Sequence, residues 1–174
     1  MDILSEVRTI QDFPSPGVNF FDVTSILEKP LVFSYSVKQM QKIAADYEVE
    51  SIVGIDARGF IWATAVADRL KCPLYLARKP GKLPGDVITK EYRTEYSTAS
   101  LSMIKGHDIK GPVMIIDDIL ATGGTLKAAG ELLTENWNIA PEHQIHCVLI
   151  DLSFLPGRTV LEQAGYTVKS IVTA

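Results

Sequence analysis

Apolar positions along the chain fall into two kinds of pattern. Ser51–Ile55, Pro112–Ile116 and Ile145–Ile150 are short runs that are apolar almost throughout. Such runs predict strands of a parallel sheet covered on both faces. Pro73–Ala77 is a shorter run of the same kind. Between the runs the period changes to that of a helix. Pro30 suits a first helical position, and Leu31, Val37, Met40, Ile43 and Ala44 follow at helical spacing. Phe60–Leu70 is a second, alanine-rich helix. Thr125–Trp137 is a third, with Leu126, Ala129, Leu132 and Leu133 on one face. Strands alternating with helices predict an α/β fold: an open, doubly wound parallel sheet flanked by helices on both sides. Ligands in such sheets bind outside the carboxyl ends of the strands.

Two segments break the alternation. Asp12–Asp22 is rich in proline, glycine and phenylalanine, and Arg78–Ser100 is long, polar and basic at its start. A long loop inside a compact domain is usually functional or disordered. The second reads as a mobile flap containing a strand pair near Val87–Tyr92 and Ala99–Ile104. The 174 residues fit one domain, 1–174, with 47% hydrophobic and 22% charged side chains, a composition that argues against disorder. A formal net charge of −4 disfavours general nucleic-acid binding. It leaves room for a local basic patch facing a small anion. Two cysteines, Cys72 and Cys147, exclude a disulfide framework and read as reduced, buried thiols of a cytoplasmic protein. No signal peptide or membrane-length apolar run is visible, so no membrane partner is expected.

Candidate chemistry concentrates in Val113–Thr125 (VMIIDDILATGGT). An apolar strand ends in Asp117 and Asp118, and a short loop then feeds directly into a helix. Gly123 and Gly124 let backbone N–H groups turn inward. The helix start adds unpaired donors and partial positive charge. With the hydroxyls of Thr122 and Thr125, this is a cradle for a phosphate monoester. It lacks the lysine of a P-loop, and the chain has no G-x-G-x-x-G dinucleotide fingerprint. Adjacent carboxylates would repel a nucleotide's phosphates unless they faced something else. A ribose diol is one such group, and bound Mg²⁺ can offset the charge.

VMIIDDILATGGT resembles the phosphoribosyl-diphosphate (PRPP) motif of the type I phosphoribosyltransferases. The resemblance narrows to the adenine-using branch through Phe13–Leu27 (FPSPGVNFFDVTSIL), Gly54–Phe60 (GIDARGF), Ala77–Asp86 (ARKPGKLPGD), Glu95–Leu101 (EYSTASL) and Asp151–Arg158 (DLSFLPGR). These segments keep the family's order and cover nearly the whole chain. The resemblance implies a type I phosphoribosyltransferase fold with an N-terminal hood over 1–28 and a flap over 78–104. It implies purine salvage: phosphoribosyl transfer from PRPP to N9 of adenine, giving AMP and pyrophosphate. Ala121, Thr122, Gly123, Gly124 and Thr125 would hold the 5′-phosphate. Asp117 and Asp118 would face the ribose hydroxyls, with Mg²⁺ held mainly by PRPP and bridging diol and pyrophosphate. Arg78, Lys79 and Lys82 would meet pyrophosphate, Arg78 reaching into the neighbouring subunit of a homodimer.

The resemblance places the family's catalytic glutamate on Glu95 and its tyrosine neighbour, on the PRPP side, on Tyr96. From the residues alone Glu91-Tyr92 is an equal rival. Asn19 and Phe21 would read the base's amino edge through their backbones. Phe20 and Leu152 would sandwich its ring, and Arg58 would donate to N7. Read without the resemblance, Phe20 is divided between pocket wall and core, and Leu152 is core. Ala57, Phe21 and Ser97 depart from the family's usual serine, basic residue and glycine. Two other readings stand beside this one: a 6-oxopurine phosphoribosyltransferase, and a PRPP- or purine-sensing regulator without chemistry. His143 and His146 at a strand start point to opposite faces, which argues against a metal pair. His107 reads as surface. Trp62 and Trp137 read as helix packing.

Overall fold

The computed structural model describes residues 1–93 and 98–174. The strands are β1 (Arg8–Ile10), β2 (Phe20–Asp22), β3 (Ser51–Ile55), β4 (Leu74–Ala77), β5 (Val87–Arg93), β6 (Thr98–Ile104), β7 (Val113–Leu120), β8 (Gln144–Asp151) and β9 (Thr167–Thr173). The helices are α1 (Pro30–Asp46), α2 (Gly59–Leu70), α3 (Gly124–Trp137) and α4 (Gly157–Gln163). The main sheet is parallel in the order β4-β3-β7-β8-β9.

Alternate residues of the central strands enter different cores, which is why those runs are apolar throughout. Ile52, Met114, Ile116 and Cys147 pack with α1 and α2. Val53, Ile55, Ile115 and Val148 pack with α3, Leu161 of α4, and Leu101 and Met103 of β6. The result is three layers, with the open parallel sheet in the middle. Trp62 is buried in the first core, and its indole N–H donates to Ser36 Oγ at 2.9 Å, joining α2 to α1.

The structure departs from the sequence reading at several points. Leu31 is 80% exposed although it fits the helical spacing; it lies in the first turn of α1, and Val32 takes the buried position. Strand β7 does not end at its acids. It runs on to Leu120, with Asp117 in register with Val148. The sequence reading passes over β1, β2, α4 and β9. Cys72 is half-buried rather than buried. His107 is also half-buried, its ring 4.8 Å from that of Tyr75.

Two hairpins decorate the sheet. β1 and β2 pair antiparallel across the proline-rich loop, where the Asp12 side chain accepts from the Gly17 N–H at 2.7 Å. β5 and β6 pair from Val87↔Ile104 to Arg93↔Thr98, as the flap reading expects of its strands. β5 alternates exposed and covered positions, the covered ones being Ile88, Lys90 and Tyr92. Lys90 reaches α3, pairing with Glu131 at 3.2 Å and also with Glu135. Among the described residues no helix is long and apolar enough to cross a membrane.

Candidate active site

The carboxyl end of β7 delivers the chain into Ala121–Gly123 and then α3. Gly123 has φ +83°, a left-handed conformation that favours glycine. It lets the chain turn at once into α3, where the Lys127 N–H donates to Gly123 O at 2.9 Å. The turn encloses a cup of about 90 Å³ lined by Asp117 and Ile119 through Leu126. Thr122, Gly123, Gly124 and Thr125 all contribute to its wall. Tyr92 of β5 stands beside the turn: its ring lies against Gly124, and its hydroxyl accepts from Thr125 Oγ1 at 3.1 Å.

Next to the cup lies a cleft of about 440 Å³. Asp56, Ala57 and Arg58 line it from the end of β3. Asp117, Asp118, Ala121 and Thr125 line it from the loop side, and Lys79, Tyr92 and Leu101 complete the wall. Arg58 is brought there by a close approach. A side chain at Gly59 would place its Cβ 2.6 Å from Ile116 O, so only glycine lets α2 begin directly against β7. Arg58 Nε then donates to the buried carboxylate of Asp118. The Asp118 N–H in turn donates to Asp117 Oδ1 at 2.8 Å. Burial of its carboxyl, together with the adjacent Asp118 charge, holds Asp117 well above the usual carboxylate range, against the opposing pull of Arg58.

The basic loop divides. Lys79 is exposed and lines the cleft. Arg78 does not line it. Its Nε pairs with Asp56 Oδ2 at 3.1 Å, its Nη1 donates to Lys82 O at 3.2 Å, and its guanidinium lies 5.7 Å over the Phe60 ring. Lys82 is exposed beside it. The loop is tied to β6 by paired backbone bonds between Arg78 and Ser102, at 2.9 and 2.7 Å.

Residues 22–151 match the phosphoribosyl transferase domain. An adenine phosphoribosyltransferase of Mycoplasmopsis fermentans is 45% identical, over 88% of this chain and 89% of its own. Another, from Kosmotoga olearia, is 40% identical over 99% of each. The chain belongs to the adenine phosphoribosyltransferase family. Solved structures agree. The adenine phosphoribosyltransferase of Thermoanaerobacter pseudethanolicus superposes with a TM-score of 0.88 at 34% identity, covering 99% of this chain and 98% of that one. The APRTase of Giardia lamblia, complexed with 9-deazaadenine, superposes with a TM-score of 0.91 at 34% identity, covering 99% and 96%.

Against that family, the residues expected to hold a base are less gathered than those expected to hold PRPP. Arg58 is in the cleft. Asn19, Phe20, Phe21 and Leu152 do not line it. Asn19 is exposed, and Phe20 is half-buried with its ring 5.1 Å from Phe13, edge to face. Phe21 and Leu152 pack at the margin of the α1–α2 core. Glu95 and Tyr96 lie outside the described residues. Sequence reasoning missed Asp56, which anchors Arg78, and gave Tyr92 only as a rival. The alternation Ile88, Lys90, Tyr92 in Val87–Arg93 was a signal that could have placed Tyr92 facing α3.

Proposed function

We propose that this chain transfers the phosphoribosyl group of PRPP to N9 of adenine, releasing pyrophosphate and forming AMP. One observation carries the reading: a glycine-turned cup and a pair of adjacent carboxylates open into the same space, with Arg58 and Lys79 on its rim. The cup suits the 5′-phosphate, which the loop's N–H groups and the Thr122 and Thr125 hydroxyls would hold. The puzzle of two acids beside phosphates has a physical answer here. Arg58 compensates Asp118, and Asp117 holds a proton more readily than usual. The pair therefore repels a bound phosphate less than two isolated carboxylates would, and its oxygens remain available to a diol.

In the reaction the C1–O bond to pyrophosphate breaks and a C1–N9 bond forms as the N9 proton leaves. The ribose becomes cationic in between, and the field of Asp117 and Asp118 would favour that charge. Lys79 would attract pyrophosphate. Glu95, with Tyr96 beside it, would manage the proton on the base. Asn19, Phe20, Phe21 and Leu152 would form the base pocket over residues 1–28 and 152. Arg58 would reach N7 through its Nη atoms, since Nε serves Asp118.

The donor set fits Mg²⁺ held chiefly by substrate. Among the described residues no group of three or more His, Cys, Asp or Glu side chains could hold a metal. Oxygens of Asp117 and Asp118 would add to those of PRPP, as suits a cation that keeps substrate phosphates as ligands. When bound, the ion supplies charge compensation for the diphosphate. Two free cysteines support a reducing, cytoplasmic setting. Arg78 does not line its own cleft and is held behind it by Asp56, an arrangement compatible with a homodimer in which it serves the neighbour's.

Pyrophosphate release from PRPP and Mg²⁺, with adenine, hypoxanthine, guanine and xanthine offered separately, tests the reading. Release with adenine alone is expected. Acceptors built for an amino edge would stay unpaired against a 6-oxo base. Release with a 6-oxopurine instead would overturn the base assignment. PRPP binding without release from any base would favour a regulator.

A further inference from the structure

The segment Asp151–Arg158 leaves β8, passes behind the cup and turns into α4. It makes two backbone bonds to consecutive residues at the mouth of the phosphate loop. The Leu152 N–H donates to Leu120 O at 3.0 Å, and the Gly157 N–H donates to Ala121 O at 3.0 Å. The fit at the second bond is close. A Cβ on Gly157 would lie 2.2 Å from Ala121 O, and a Cβ on Gly123 would lie 3.0 Å from Gly157 O. A trans peptide points its C=O and the following N–H in opposite directions. Pinning the carbonyls of Leu120 and Ala121 against the segment therefore turns the N–H groups of Ala121 and Thr122 the other way, leaving them for a ligand in the cup those residues line.

One side chain ties the two ends of this segment together. Arg158 Nε pairs with Asp151 Oδ2 at 2.6 Å. Its Nη1 donates to Val168 O at 3.2 Å and pairs with Glu162 Oε1 at 3.2 Å, while Nη2 donates to Ser170 Oγ at 3.1 Å. Asp151 is 1% exposed, so this charge-assisted bond is shielded from water on the carboxylate side. The guanidinium thus locks the end of β8, the start of α4 and the backbone of β9 into one frame.

We infer that Arg158 is a positioning residue for the phosphate loop. Without touching substrate, it holds Gly157 against Ala121 and so presets the donors that receive the 5′-phosphate. The inference rests on the reading of the cup as the site of that phosphate. The 5′-phosphate lies away from the bonds that change, so a loosened grip on it removes binding shared by substrate and transition state and raises KM rather than lowering kcat.

The experiment compares wild type, Arg158→Lys and Arg158→Gln by ribose 5-phosphate calorimetry and by steady-state kinetics, with folding checked by thermal melt. For R158Q the expected result is a KM for PRPP and a Kd for ribose 5-phosphate raised about tenfold, with kcat within about twofold. R158K keeps a charge opposite Asp151 but not the fork to Val168 and Ser170, so a rise of about threefold is expected. A merely structural role would lower the active fraction, and hence kcat, with KM unmoved; that pattern overturns the inference. Should R158Q fail to fold, unchanged constants in R158K overturn it equally. A wild-type chain that does not bind ribose 5-phosphate overturns the cup reading and this inference with it. A wild type that binds, beside variants that bind equally well, overturns this inference alone.

Discussion

Asp117 is where stability and activity are expected to oppose each other. Its carboxyl binds a proton more tightly in the folded chain than at its ordinary value of 3.8. Its favourable contribution is therefore present below that ordinary value and is lost as pH rises through the raised one. At neutral pH, where the unfolded chain's carboxyl has lost its proton, burying this group works against the fold. Asp117→Asn should raise Tm at pH 7 by roughly 2–4 °C, with the gain shrinking toward pH 4, while turnover falls about 100-fold. Calorimetry at both pH values, with the pyrophosphate assay alongside, checks this; a lower Tm at pH 7 would count against it. The acids and the glycine turn were legible because they are contiguous. The Arg58–Asp118 pair was not. Its partners are 60 positions apart, and no local pattern links them until α2 is packed on β7 at Gly59.

At the scale of elements, the buried strands β3, β7 and β8 announced themselves by unbroken apolar runs. β9 did not, because Thr167–Thr173 mixes polar and apolar residues at the edge of the sheet. β1 and β2, with three residues each, and α4, with seven, are too short to show a period. β8 also holds a less obvious liability. His146, the third residue of that strand, is wholly buried, its ring 4.4 Å from that of Tyr166 and both ring nitrogens without a partner among the described residues. Burial pushes it down from 6.5 to about 3. Tyr166, raised to about 12 by burial, stays neutral beside it. The unfolded chain then binds the extra proton between those values, so stability is full above 6.5 and declines as pH falls toward 3. Within that window the slope from this one group approaches about 1.4 kcal/mol per pH unit. His146→Leu should flatten the acid limb of a urea-denaturation series and leave the neutral value level or higher. An acid limb as steep as that of wild type would refute the assignment.

For the whole molecule, the position of Arg78 makes the proposed dimer testable through function. Arg78→Ala and Asp118→Asn should each inactivate a homodimer. In a mixed dimer, one cleft keeps its Asp118 and receives Arg78 from the neighbour. Random exchange makes half the dimers mixed, so mixing equal amounts should recover about one quarter of wild-type activity. No recovery after exchange, verified by native mass spectrometry, would place Arg78 in its own chain's service. The two tryptophans add a practical consequence at this scale. Trp62 is sealed in the α1–α2 core, and Trp137 donates its indole N–H to His107 O at 2.7 Å. Neither lines the cleft. Intrinsic emission will thus follow unfolding closely and stay nearly silent during ligand titration. An optical probe of binding has to be installed in the cleft wall itself, and position 92, where a ring already rests against Gly124, is the natural place for it.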